Sequence, residues 1–185
     1  MKRLFDILLA LSLSLALLPV IAAVAVAVRL TSRGPALYWS DRIGKDGRRF
    51  RMAKFRSMRT DTPIVATHLL EGRQWLTPIG GVLRSSSLDE LPQLWNILRG
   101  DMSFVGPRPA LFNQDDLMEL RRIHHVDRVR PGLTGWAQVN GRDDLTIPAK
   151  VALEAEYLEK SSFLFDMRIV AMTIVKVARR SGIAH

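Results

Sequence analysis

The sequence predicts an α+β protein in which an N-terminal re-entrant membrane helix is followed by a small domain with a short β-hairpin and several helices. Three observations predict it: a long uncharged run near the N-terminus, an Asp-Gly step between two short segments rich in aromatic and basic residues, and apolar residues at helical spacing in the C-terminal half. We place the boundary between a membrane-anchoring segment, residues 1–33, and a second domain, residues 34–185, where a Ser-Arg-Gly-Pro sequence ends the apolar run.

The composition limits the class of protein. With 185 residues, 48% of them hydrophobic, the chain has enough apolar surface for one compact domain, which excludes a disordered or collagen-like protein. Its 24% of charged residues exclude a multi-span membrane protein, and the absence of cysteine excludes disulfides, thiolate nucleophiles and cysteine-ligated metals. The net charge of +9 indicates a polyanionic partner, a description that fits nucleic acid, acidic lipid and phosphorylated substrates alike.

The uncharged run extends from Ile7 to Val28. As one straight helix it would be about 33 Å long, enough to cross a hydrocarbon core of roughly 30 Å. Pro19 lies near its middle, where the ring removes a backbone donor and clashes with a preceding carbonyl, so we expect a break there. A kinked single span and a cleaved signal peptide are the alternative interpretations.

Basic residues flank this run on both sides, with Lys2 and Arg3 before it and Arg29 and Arg33 after it. The positive-inside rule places both flanks in the cytoplasm, so a segment that satisfies both must enter the membrane and return. We therefore favour a helix–break–helix that dips into one leaflet.

Two strands are predicted next, between Leu37 and Met58, because Asp46 and Gly47 favour the positive φ of a tight hairpin turn. The following stretch from Asp61 to Pro78 has no clear period and is predicted as a loop with one helical turn.

Apolar spacing predicts four further helices, and the last is amphipathic with a basic edge, typical of helices that lie on an anionic membrane surface. The string between them with two prolines is predicted as an irregular, stiff loop, and the glycine-rich string near residue 135 as a turn-rich segment. The predicted helices are Ser87 to Leu98, Phe112 to Val126, Ala149 to Glu159 and Phe163 to Arg180, and the irregular loop is Gly100 to Pro109.

Two adjacent acids, Asp89 and Glu90, stand near the start of the first of these helices. They have a purely structural interpretation, because Ser87 followed three residues later by Glu90 is the pattern of a capping box. Pro92 weakens it, since a proline at that position cannot donate to the helix, so the helix would begin later and the acids would precede it.

The chemical interpretation is a site for magnesium and phosphate. Carboxylates such as Asp89 and Glu90 are hard ligands for Mg²⁺, which commonly bridges them to a substrate phosphate. Arg84 and Arg108 would supply planar guanidinium groups to phosphate oxygens. In a chain without cysteine, an aspartate that attacks phosphorus is a reasonable nucleophile.

Three strings carry a family resemblance: IGKDGRRFRMAKFRSM (Ile43 to Met58), LRSSSLDELPQLWNILRGDMSFVGPRP (Leu83 to Pro109) and RPGLTGWAQVNGR (Arg130 to Arg142). In this order after an N-terminal apolar segment, they resemble the bacterial sugar transferase family, the monotopic phosphoglycosyl transferases. The chain is similar to the small, PglC-like form of the family, without the extra N-terminal membrane spans of larger relatives.

The resemblance implies that a UDP-sugar gives its phosphosugar to an aspartate, that UMP leaves, and that undecaprenyl phosphate then takes the phosphosugar. Asp89 matches the nucleophile, and Glu90 matches its partner, which holds magnesium or accepts a proton. Arg84 and Arg108 match residues expected to hold phosphate. Pro19 matches the break of the re-entrant helix, although Leu18 stands where many relatives have serine.

The resemblance also implies a weaker contact of Gln138, Asn140 or Arg142 with the nucleotide or sugar. The expected partners are the UDP-sugar, undecaprenyl phosphate, membrane lipid and downstream glycosyltransferases, with no nucleic acid. The expected location is the bacterial inner membrane, with the catalytic domain on its cytoplasmic face. The small form favours N-acetylated amino sugars, and glucose and galactose stay open.

Two rival classes stay open. A non-catalytic, basic, membrane-associated binding protein explains the charge and the apolar segment, but it predicts no loss on Asp89→Asn. A magnesium phosphatase would use the same carboxylates and release inorganic phosphate. A glycosidase is disfavoured, because adjacent acids do not flank a glycosidic bond from opposite sides. For His124 and His125 we expect a solvated basic face rather than a metal pair, since adjacent helical positions point apart.

Overall fold

The computed structural model describes residues 1–63, 73–141 and 145–179, and within them the protein has the predicted α+β architecture. Helices surround two small sheets. The helices are α1 (Lys2–Ala16), α2 (Leu18–Thr31), α3 (Gly80–Ser85), α4 (Gln93–Arg99), α5 (Asp115–Ile123), α6 (Trp136–Asn140), α7 (Ile147–Lys160) and α8 (Phe163–Arg179). The strands are β1 (Leu37–Ile43), β2 (Arg49–Phe55), β3 (Ser103–Val105), β4 (Ala110–Leu111) and β5 (Gly132–Thr134).

The N-terminal run is broken where the sequence predicts. Helix α1 ends at Ala16, α2 begins at Leu18, and their axes are bent by 63°. Pro19 lies in the first turn of α2, where its missing N–H would have no helical partner in any case. Among the described residues no single helix has the length and apolarity of a membrane span, whereas α1 and α2 together meet that test.

One side of the bent pair faces the rest of the protein, and the other side is apolar and exposed. Ala10 of α1 and Val28 of α2 are fully buried. Arg3 donates to the carbonyls of Ile97 and Leu98 at 2.6 and 2.9 Å, so the start of α1 caps the last turn of α4. The exposed apolar side chains on the pair include Leu4, Leu8, Leu11, Leu15, Leu18, Val20, Val26 and Leu30.

The hairpin prediction is confirmed. Strands β1 and β2 pair antiparallel, and Asp46 and Gly47 both adopt positive φ, 56° and 73°, in a short 3₁₀ turn. Strand β4 pairs with the other edge of β1, so the three-stranded sheet has the order β2-β1-β4. In an antiparallel pair, opposite residues share a face, so Tyr38 and Lys54 lie on one face together with Arg42.

The predictions for the two turn-rich strings were partly wrong. Part of the Gly100–Pro109 string forms β3, which pairs parallel with β5, and residues 136–140 form α6. The sequence pattern did not predict this pairing, because it depends on close backbone approach rather than on apolar alternation. A Cβ at Gly132 would lie 2.1 Å from the amide nitrogen of Gly106, so glycine is required at this contact.

The boundaries of two helices, α4 and α5, differ from the predictions. Helix α4 begins at Gln93 rather than Ser87, as Pro92 suggested, because Ser87 has a left-handed φ of 58°. Helix α5 begins at Asp115 rather than Phe112 and ends at Ile123 rather than Val126, because β4 occupies the residues just before Phe112 and His125 has a φ of 58°. Helices α7 and α8 agree with the predicted ranges to within two residues.

Candidate active site

The acid pair lies in a single 3₁₀ turn, Leu88–Glu90, between α3 and α4. The amide of Glu90 donates to the carbonyl of Ser87 at 3.2 Å, and the Ser87 side chain caps no helix in this described segment. The capping-box interpretation was therefore wrong. Asp89 is 7% exposed, an unusual burial for a carboxylate, and the acids precede α4 rather than belonging to it.

Lys54 of β2 is the closest cation to both acids among the ion pairs of the described chain. Its ammonium lies 2.7 Å from Oε1 of Glu90 and 3.7 Å from Oδ2 of Asp89. Strand β2 packs directly against the acid turn, so pairing in the hairpin fixes this lysine over the carboxylates. The sequence interpretation missed Lys54.

Burial and neighbouring charges shift the pKa of Asp89 in opposite directions. Burial raises the pKa of Asp89 above its usual range, Lys54 lowers it, and the neighbouring Glu90 carboxylate raises it again. Arg84 and Arg108 each lower the pKa of Asp89 as well, but the net direction is upward. The two arginines predicted from the sequence are thus electrostatic neighbours of Asp89.

Arg42 of β1 is a further cation that the sequence interpretation missed. Burial lowers the pKa of Arg42 to about 10, and the charge of Arg108 acts in the same direction, against smaller opposite effects of Tyr38 and Glu90. Its guanidinium donates to the carbonyl of Pro109 at 3.2 Å. Two mutually repelling guanidinium groups therefore stand beside the acid pair, an arrangement that favours a bound anion.

Gln138 and Asn140, which the resemblance places at the nucleotide or sugar, make local hydrogen bonds on a helix that does not pack on the acid turn. The amide groups of Gln138 and Asn140 donate locally, to the carbonyls of Leu133 at 3.1 Å and Trp136 at 2.8 Å. Helix α6, which carries them, packs on α7 and α8, whereas the acid turn packs on β2 and α3. Arg142 lies outside the described residues.

The predicted magnesium site offers two protein carboxylates, those of Asp89 and Glu90. Within the described part of the chain, no group of three or more His, Cys, Asp or Glu side chains is arranged to hold a metal ion. The two carboxylates of Asp89 and Glu90 match the way in which proteins bind Mg²⁺, through one or two acids completed by water and substrate phosphates. Both histidines of the 124–125 pair are exposed.

The comparisons with known proteins show the family to which the chain belongs. The family model for bacterial sugar transferase matches residues 1–180. The chain belongs to the bacterial sugar transferase family. The match covers the bent helix pair, the hairpin, the acid turn and the arginine-bearing loop.

Two relatives of this sugar transferase are named for their reaction. The chain is 39% identical to the UDP-glucose:undecaprenyl-phosphate glucose-1-phosphate transferase of Escherichia coli and 42% identical to the undecaprenyl-phosphate glucose phosphotransferase of Komagataeibacter xylinus. The matches cover 95% and 94% of the chain but only 40% and 35% of those proteins. A third relative, the uncharacterized sugar transferase EpsL of Bacillus subtilis, is 38% identical over 99% of the chain and 90% of its own length.

Proposed function

We propose that this sugar transferase moves a phosphosugar from a UDP-sugar to undecaprenyl phosphate and releases UMP, as the first membrane step of bacterial glycan assembly. The observation that carries the proposal is a buried aspartate in a turn where positive charge exceeds negative charge. The names of the relatives support a UDP-sugar donor and an undecaprenyl phosphate acceptor.

In the first half-reaction, a carboxylate oxygen of Asp89 attacks the phosphorus that carries the sugar. The bond from that phosphorus to the bridging oxygen breaks, and UMP leaves with that oxygen. In the second half-reaction, a phosphate oxygen of undecaprenyl phosphate attacks the same phosphorus and releases Asp89 as a free carboxylate. The raised pKa of Asp89 fits this role, because a more basic carboxylate is a better nucleophile once it is ionised.

The surrounding cations have a common task in this scheme. Lys54, Arg84 and Arg108 oppose the effect of burial on Asp89, since each lowers the pKa of its carboxyl group. With Arg42 they also provide positive charge for the donor diphosphate, whose negative charge increases on the leaving oxygen as UMP departs.

We propose Mg²⁺ as the cofactor, held by Asp89 and Glu90. When bound, it would neutralise charge on the phosphate oxygens. Lys54 lies 2.7 Å from Oε1 of Glu90, so the cation would share these carboxylates with the lysine ammonium. Release of UMP should stop on removal of divalent cations with a chelator and return when magnesium is added.

For the N-terminal pair we propose re-entry into one leaflet, with the catalytic domain on the cytoplasmic face. The 63° bend and the exposed apolar outer side of the pair support it, together with the basic residues at both ends. The chain has no cysteine, so Lys2→Cys and Arg33→Cys variants each provide one labelling site. Re-entry predicts labelling of both from the same side of the membrane, and labelling from opposite sides would establish a span.

Helix α8 also has exposed apolar side chains, which we propose contact lipid together with the outer side of the α1–α2 pair. Its N-terminal Phe163 and Leu164 are 50% and 80% exposed, and Ile174 and Val175 near its other end are 64% and 47% exposed. An apolar face of this kind beside basic residues fits a helix that lies on an anionic bilayer. This location would bring a water-soluble donor and a lipid acceptor to one site.

The experiment that tests the proposed function is release of UMP from a panel of UDP-sugars, with magnesium and undecaprenyl phosphate, by wild type and Asp89→Asn. The panel begins with UDP-glucose and UDP-galactose, the sugars in the names of relatives, and continues with N-acetylated amino sugars. Asp89-dependent release from one of them supports the proposal. Release of inorganic phosphate instead would indicate a phosphatase, and no release by folded protein would favour a binding role.

A further inference from the structure

The loop that carries Arg108 is held from behind by a buried ion pair. Arg121 of α5 and Glu154 of α7 face each other with side chains 5% and 2% exposed. The guanidinium donates through Nε to Oε2 at 2.8 Å and through Nη2 to Oε1 at 2.5 Å, so the pair is bidentate.

The same guanidinium also reaches the loop. Nη2 of Arg121 donates to the backbone carbonyl of Arg108 at 2.9 Å. The next carbonyl, that of Pro109, accepts from Nη1 of Arg42 at 3.2 Å. Two consecutive carbonyls are thus fixed by two arginines, one on the side of the acid pair and one on the side of the helices.

A buried ion pair is a poor device for stability alone. Removing two charges from water is costly, and well-packed apolar side chains of similar volume often stabilise a fold as much or more. Apolar neighbours are present, since Leu117, Met118 and Val151 are buried on the same two helices. What apolar side chains would not supply is a donor for the carbonyl of Arg108.

We propose that Arg121 and Glu154 form a positioning pair for the reaction, which fixes the backbone of Arg108 and thereby directs its guanidinium toward Asp89 and the donor diphosphate. Glu154 orients the guanidinium of Arg121, and the hydrogen bond from Nη2 of Arg121 to the carbonyl of Arg108 fixes the loop. The inference rests on the proposed function and deepens it, because it names residues that act through Arg108 without touching the substrate.

The test is a double-mutant cycle on UMP release. The paired variant Arg121→Met with Glu154→Met removes the hydrogen bond to the loop without leaving an isolated buried charge. We expect kcat/KM for the UDP-sugar to fall about 10- to 100-fold, the range for loss of a charge-assisted hydrogen bond, while the melting temperature is kept. The matched control is Arg122→Met, an exposed arginine on the same helix, which should leave both unchanged.

The second arm of the cycle repeats the substitutions in an Arg108→Lys background, which keeps the charge but lacks the planar fork. Positioning through Arg108 predicts that Arg121→Met with Glu154→Met now causes little further loss, because the two changes damage one interaction. If the pair causes the same loss in both backgrounds, or if it leaves wild-type turnover intact, the inference is overturned.

A second variant is needed if Arg121→Met with Glu154→Met does not fold, and a second measurement is needed if wild type releases no UMP. Arg121→Lys keeps an ion pair with Glu154 but lacks the fork that reaches the carbonyl of Arg108, so it should reproduce the loss. Hydrogen exchange over residues 106–111 should become faster in both variants, with β2, which does not pair with β4, unaffected. Unchanged exchange would contradict the positioning role, whereas silent wild type with altered exchange would contradict only the proposed reaction.

Discussion

Two clusters of charged side chains in this member of the sugar transferase family differ in how their charges are balanced. At the acid turn, four cations act on two carboxylates, and the pKa of Asp89 is raised while that of Arg42 is lowered. At the junction of α1 with α8, by contrast, Asp166 accepts from Lys2 and, at 2.8 Å, from the hydroxyl of Tyr157. We call this second group, Lys2, Tyr157 and Asp166, the anchor network.

This difference distinguishes the candidate site, at the acid turn, from the anchor network, which acts as a structural scaffold. In the anchor network the buried Asp166 is paired with the partly exposed Lys2 and with the hydroxyl of Tyr157, which holds the first turn of α1 against α7 and α8. The acid turn has more positive charge than its own carboxylates balance, an excess that favours binding of an anion. Stability is lower at such a place, because burial of the ionised Asp89 is unfavourable.

The largest effect is expected for Asp89→Asn, which tests the site half of the comparison. Loss of the nucleophile should lower UMP release by about 10⁴-fold or more. The same variant should melt at a higher temperature at pH 7, because the raised pKa means that ionising Asp89 destabilises the folded state. Asp46→Asn, an exposed acid on the hairpin turn, is the control for both measurements. Substantial residual activity would contradict the assignment.

The next effect concerns the surplus of positive charge. Arg108→Ala should reduce kcat by about 100-fold, the range for loss of one group that stabilises developing charge. Because Arg108 lowers the pKa of Asp89, its removal should also move the acid limb of the pH–rate profile to higher pH. A rate like that of wild type would remove Arg108 from the site.

Lys54→Met is expected to act mainly through pH. Lys54 is the strongest of the groups that lower the pKa of Asp89, so without it the carboxylate is ionised only at higher pH. A pH–rate profile of kcat/KM should therefore show its acid limb shifted upward, with most of the activity recovered at alkaline pH. A uniform loss at every pH would indicate that Lys54 contacts the substrate instead.

The smallest effect on turnover is expected in the anchor network. Asp166→Asn leaves the buried hydroxyl of Tyr157 and the ammonium of Lys2 without their anionic partner, which should lower the free energy of unfolding by about 1–3 kcal/mol. Thermal melting in detergent should detect the change, while kcat per folded molecule stays within about twofold. A large fall in kcat with unchanged melting would abolish the distinction between site and scaffold.

Local chemistry explains which parts of the fold were predictable. Pro19 and the Asp46–Gly47 step carry their own conformational limits, so the break and the hairpin follow from a few residues. Strands β3 and β5 are three residues each, and their pairing depends on the tight approach of Gly106 and Gly132, which no local pattern reports.

The same limit explains the site. Asp89, Glu90, Arg84 and Arg108 lie within one stretch of sequence and were predicted together, whereas Lys54 and Arg42 were not. A signal for them was present: with the turn at residues 45–47, strand pairing places Arg42 and Lys54 on one face of the hairpin. What the sequence lacked was evidence that the acid turn packs against that face, a contact between distant segments.

A covalent intermediate on Asp89 can be detected by mass spectrometry of the protein after incubation with its UDP-sugar and no lipid acceptor. We expect about one UMP released per enzyme and a phosphosugar adduct on the peptide that contains Asp89, lost in Asp89→Asn and discharged by undecaprenyl phosphate. An adduct on another residue, or turnover through a direct transfer that never forms one, would contradict the central claim that this buried carboxylate is the nucleophile.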